Sequence, residues 1–100
     1  MVEFDHLRMQ TKQHDLQAKI MKFVTGAIGS CESYEKMKLD VWVAWFDTSY
    51  KPHQLERRFI NELEDVENEI NNTTHRFREL IEVKCMERDN GLISVTVYFL

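Results

Sequence analysis

A two-layer α+β sandwich of order α-β-α-β-β is the fold this sequence predicts, on three observations. Leu55, Phe59, Leu63, Val66 and Ile70 recur at steps of three and four, the period of one helix face. The runs from Ile81 to Met86 and from Ile93 to Leu100 alternate in polarity around Asp89-Asn90-Gly91, which reads as a hairpin. The stretch Met37–Phe46 is rich in β-branched and aromatic residues, and no Gly or Pro interrupts it, so it reads as a strand.

The first helix is expected over residues 5–28. Asp5 can cap it, since its carboxylate accepts from free backbone amides. Met9, Leu16, Ile20, Phe23 (with Val24) and Ala27 then fall on one face, a stripe that strengthens after Leu16. Gly29-Ser30 ends the helix, because Gly enters the left-handed conformation that a C-terminal cap uses. Residues 30–36 read as a polar connection.

The strand 37–46 follows. Alternation puts Met37, Leu39, Val41, Val43 and Trp45 on one face and Asp40, Trp42, Ala44 and Phe46 on the other. The first set is wholly apolar and is expected to be buried. Pro52, favoured at a first helical position, opens the second helix. Asn71-Asn72-Thr73-Thr74 ends it, since these side chains compete for backbone hydrogen bonds. A rival reading carries the helix on through Phe77 and Leu80.

The register of the hairpin can be argued. A two-residue turn at Asn90-Gly91 would oppose Lys84 to Val97, mixing polar with apolar on each face. A three-residue loop with Gly91 left-handed pairs Arg88 with Leu92 instead. Cys85 then meets Val95, Val83 meets Val97, and Ile81 meets Phe99. One residue of slip would reverse every side chain, so the second register is expected. These elements make a three-stranded mixed sheet with the C-terminal strand central. The strand-helix-strand crossover should be right-handed, with helices mainly on one face.

One hundred residues fit a single domain, 1–100. Net charge is −4, with 13 basic residues among 17 acidic ones, which argues against sequence recognition of nucleic acid. No apolar run is long enough for a membrane span. The opening Met1-Val2-Glu3-Phe4-Asp5-His6 lacks a signal-peptide pattern, and Cys31 and Cys85 have no metal-ligand spacing. A cytoplasmic protein with two free thiols is expected.

Chemistry finds little support. His6, His14, His53 and His75 are scattered, and no Cys stands beside them as a zinc site requires. With Gly26, Gly29 and Gly91 alone, a Gly-rich phosphate loop is impossible. Glu62, Glu64, Asp65, Glu67 and Glu69 are spread around a helix by its turn of about 100° per residue, giving a solvated face. Ser30, Ser33 and Ser49 lack a neighbouring base motif. Arg57-Arg58 and Arg76-Phe77-Arg78 read as local ion-pair spots. No catalytic, cofactor-binding or metal-ligating residues are assigned.

What stands out is an outer sheet face expected to carry Trp42, Phe46, Met86, Tyr98 and Leu100, aromatic and Met types enriched at interfaces. The first helix covering it is the competing possibility. The favoured expectation is a non-enzymatic protein that self-assembles through it. The alternative is a small regulatory or inhibitor protein that binds a host protein with the same face.

A family resemblance agrees with the first expectation. Lys38-Leu39-Asp40-Val41-Trp42-Val43, the helix from Pro52 to Ile70, and a hairpin ending Leu92-Ile93-Ser94-Val95-Thr96-Val97-Tyr98 resemble tail-terminator (tail-completion) proteins of long-tailed bacteriophages. The resemblance implies a head–tail joining subunit of small α/β fold. It implies a homo-oligomeric ring of six, other virion proteins as partners, and no cofactor or catalytic residue. The host cytoplasm during assembly, then the virion, would be its place. The connection at 30–36 leaves little room for the extra hairpin some members carry.

Overall fold

The computed structural model describes residues 14–70 and 81–99, without the side chains of 68–70. The expected helix start at Asp5, the fate of residues 71–80 and the interface residue Leu100 lie outside the described residues. Six elements run in the order α1 (His14–Ile28), β1 (Cys31–Lys38), β2 (Val41–Phe46), α2 (Pro52–Ile70), β3 (Ile81–Glu87) and β4 (Ile93–Phe99).

The strands form one four-stranded sheet in the order β1-β2-β4-β3, and every neighbouring pair is antiparallel. The α+β class therefore stands, but the three-stranded mixed sheet of order α-β-α-β-β does not. Residues 31–38, expected as a polar connection, are a strand. The expected strand 37–46 is broken by a turn at Leu39-Asp40, which returns the chain antiparallel to itself. β1 gave no apolar signal because its place is at the sheet edge. Most of its side chains are exposed, and β2 holds it by backbone hydrogen bonds. Two register shifts and the charges of Glu32, Glu35, Lys36 and Lys38 protect that edge from pairing with another chain.

The second hairpin has the register argued above. Ile81 opposes Phe99, Val83 opposes Val97 and Cys85 opposes Val95. The Arg88 amide donates to the Leu92 carbonyl at 2.9 Å, and Gly91 closes the loop with φ +84°. β4 lies between β2 and β3, as expected for the most continuously apolar strand.

The phase of β2 is the other correction. Trp42 faces Val97, Ala44 faces Val95 and Phe46 faces Ile93, so these three point to the helices. Val41, Val43 and Trp45 point away. Six successive apolar residues in β2 carry no phase of their own, and Asp40, which seemed to mark a wet face, is part of the turn. The phase comes from β4, whose inward residues are unambiguous.

Both helices cover this one face. Ile20, Met21 and Val24 of α1 and Leu55, Phe59, Leu63 and Val66 of α2 join Trp42, Phe46, Val95, Val97 and Phe99 in a single core. α1 packs on the β1 side and α2 on the β3 side. Each large apolar side chain so buried stabilises the fold by about 1.5–3 kcal/mol. Gly29, with φ +74°, ends α1 as expected, its amide donating to the Thr25 carbonyl at 3.1 Å. Among the described residues no helix is long and apolar enough to cross a membrane.

Candidate interaction surface on the open sheet face

Among the described residues, no element lies over the sheet face away from the helices. The pairs Val41–Tyr98, Val43–Thr96 and Trp45–Ser94 run down its middle. On the β3 side lie Glu82, Lys84 and Met86, opposite Tyr98, Thr96 and Ser94. On the β1 side Glu35 opposes Val43 and Lys38 opposes Val41. An open hollow of about 640 Å³ is sunk into this face, with Val41, Val43 and Thr96 among its lining residues. Met37, Trp45, Tyr98, Lys38 and the loop residues Arg88, Asp89 and Asn90 complete the lining. Val43 is 2% exposed there, although neither α1 nor α2 lies on that side.

The aromatic side chains of this face are held by cations of the same chain. The Arg88 guanidinium lies 5.7 Å from the centre of the Trp45 ring, and its Nε donates to Ser94 Oγ at 2.9 Å. Lys84 Nζ lies 5.7 Å from the Tyr98 ring centre. Each contact is worth about 0.5–1 kcal/mol at an exposed site, enough to orient a ring but not to bury it. The hairpin turn between β1 and β2 stands at the border of the hollow. Met37 is 60% exposed and Leu39 72%, the two most exposed large apolar side chains among the described residues.

The five residues expected at the interface divide. Met86 and Tyr98 are on the open face as expected. Trp42 and Phe46 are not: they are 4% and 0% exposed in the core, under the helices. Leu100 lies outside the described residues. Of Leu39, Val41, Val43 and Trp45, expected inside, the last three take the outer places, and Leu39 is exposed in the turn. The missed signal was the dipeptide Leu39-Asp40. Read as a turn, it cuts the long strand and removes Asp40 from the argument about faces.

Trp42 is covered by a polar roof. Its Nε1 donates to Gln17 Oε1 at 2.8 Å, and the His14 ring stacks on it at 5.6 Å between centres. Lys36 Nζ lies 3.2 Å from His14 Nδ1, so the ammonium donates to the ring nitrogen. Among the described residues Gln17 Nε2 is buried without a hydrogen-bond partner. This arrangement closes α1 onto the β1–β2 hairpin.

No group of three or more His, Cys, Asp or Glu is placed to hold a metal ion among the described residues. Cys31 and Cys85 are free thiols. Burial pushes the Cys85 thiol from 9.0 up to about 12, and the nearby Glu56 carboxylate adds to the shift. The folded chain therefore keeps a proton that the unfolded chain releases above about pH 9. The associated stability is complete below that pH and declines as pH rises through this window. Urea unfolding of wild type and Cys85→Val between pH 8 and about 10.5 should show the shallower loss in the variant. Equal slopes would mean that Cys85 titrates alike in both states.

Comparison of the chain with protein-family models, with curated proteins and with solved structures finds no match.

Proposed function

We propose that this chain is a non-enzymatic structural subunit that binds copies of itself through the open sheet face. The observation that carries this reading is the hollow lined by Val41, Val43, Trp45 and Tyr98, left uncovered by the described residues while both helices serve the opposite face. Soluble proteins seldom leave a contiguous apolar patch open without a partner for it. The resemblance to phage tail-terminator proteins supplies the concrete form, a ring-forming head–tail joining subunit. The loss of Trp42 and Phe46 to the core moves the contact to the other side of β2 without removing it. Trp45 replaces them as the central aromatic anchor, and Met86 and Tyr98 keep their places.

Sedimentation velocity of wild type and Trp45→Ser tests this. Trp45 is half-buried and outside the core, so its loss should cost about 1 kcal/mol of stability and leave the circular dichroism spectrum unchanged. Wild type should sediment as an oligomer, and the variant as a smaller species. A variant that assembles like wild type would show that the contact lies elsewhere. A wild type that remains monomeric at high concentration would end the self-assembly reading, leaving the binding of a foreign protein as the use of the face.

A further inference from the structure

The two borders of the sheet differ. β1 is broken by two register shifts, whereas β3 pairs with β4 from Ile81 to Glu87 in one uninterrupted register. Among the described residues no strand lies against the outer side of β3. The hairpin fixes where its backbone groups point. The Arg88 amide donates to the Leu92 carbonyl, so these two form a hydrogen-bonded pair, and such pairs alternate along an antiparallel ladder. Glu82, Lys84 and Met86 therefore direct their peptide groups at β4. Those of Ile81, Val83 and Cys85 point outward, a template for another strand.

We infer that β3 pairs antiparallel with β3 of a second copy, Val83 opposite Val83 across a two-fold axis. This border is separate from the open face, and either contact can form without the other.

Charge at each register selects the occupant. Outward-pointing residues must face one another, so the axis passes through a residue rather than between two. An axis at Glu82 opposes two carboxylates, and an axis at Lys84 opposes two ammonium groups. At Cys85 it sets Val83 against Glu87. Only at Val83 does Glu82 of each copy lie opposite Lys84 of the other, while Ile81 meets Cys85 on the helix side. Opposite charges directly across a ladder stabilise it, and like charges cost a similar amount. A lysine on an edge deters a foreign strand, but this one is matched by its own strand reversed. Within one chain Lys84 Nζ lies 3.9 Å from Glu82 Oε1, and both side chains are more than half exposed, within reach of a facing strand.

The helix layer fits the same joint. α2 packs on the β3 side of the sheet. Packed helices lie about 8–10 Å apart and strands about 4.8 Å, so each helix takes the width of two strands. Two helices over four strands therefore continue across the joint at the same spacing. The Glu56 carboxylate of α2 acts on the Cys85 thiol, and Ile60, one turn further along, is only partly buried. A second copy covers both Ile60 and Cys85. Growth stops at two, because the outer borders of the joined sheet are then both β1, kinked and charged.

Sedimentation equilibrium in the Trp45→Ser background, which lacks the anchor of the open face, tests the pairing. The expected result is a reversible dimer. Adding Glu82→Lys or Lys84→Glu should raise its dissociation constant about tenfold, since each opposes like charges on both sides of the axis. The combined Glu82→Lys/Lys84→Glu should return to within about threefold of the parent, because the charges have exchanged places. Both positions are exposed, so all these chains should melt like the parent. Should Trp45→Ser fail to fold, the same series is read in the wild-type chain. Single reversals that dimerise like the parent, or an exchange no better than either single, would overturn the pairing. So would a monomer at every concentration, which would leave the border to an extended segment of another protein. None of these touches the open-face contact, whose own failure shows as Trp45→Ser assembling like wild type.

Discussion

Trp42→Ser is expected to unfold most of the protein. The indole is 4% exposed, lies opposite Val97, carries the His14 ring on its face and donates to Gln17. Truncating a buried aromatic of this size costs about 3–5 kcal/mol, because the surrounding core relaxes only partly. The loss of the indole N–H adds to this. Gln17 already buries an unpartnered Nε2 and would then hold an unpartnered Oε1 as well. A domain of this size has about 5–15 kcal/mol in all. The urea midpoint should collapse accordingly. Trp42→Phe keeps an aromatic ring while losing the donor and part of the indole's volume, so it should cost less than Trp42→Ser, at about 1–3 kcal/mol. A wild-type midpoint for Trp42→Ser would mean that α1 does not close over this residue.

Phe46→Ala is expected to be nearly as damaging, at about 3–5 kcal/mol in the same measurement. The ring is fully buried at the end of β2, between Cys31 of β1 and Ile93 of β4. Its removal opens a cavity where three strands meet the helices. No hydrogen bond is lost, so the whole effect comes from packing and burial. The adjacent Trp45 gives the contrast. It points to the other side of the sheet under Arg88, and its truncation should cost association rather than stability. Equal destabilisation by the two changes would show that the open face is covered in solution.

The division between these neighbours explains what could be read in the chain. α2 was legible because its apolar stripe at steps of three and four has one interpretation. The β3–β4 register was legible because polar and apolar residues alternate in both strands, so only one pairing gives a consistent buried face. β1 was illegible because an edge strand with exposed side chains needs no apolar pattern; its partner supplies the hydrogen bonds. The candidate surface was half legible. Met86 and Tyr98 alternate with inward residues of β3 and β4, which assigns them to the open face. Trp42, Trp45 and Phe46 sit in a run apolar at every position, where either phase satisfies the pattern.

The amino-acid sequence by itself determined the α+β class, the two helix stripes, the loop at Gly91 with the register it imposes, and the central place of β4. Each rests on contacts close in the chain or on an alternation with a single solution. Tertiary structure alone decided the Leu39-Asp40 turn, the fourth strand and which side of β2 meets the helices. The turn and the fourth strand follow from backbone pairing of β1 with β2, and the phase of β2 from its pairing with β4, about fifty residues away. Hydrogen bonds between peptide groups are blind to side-chain identity, so no local pattern announces them.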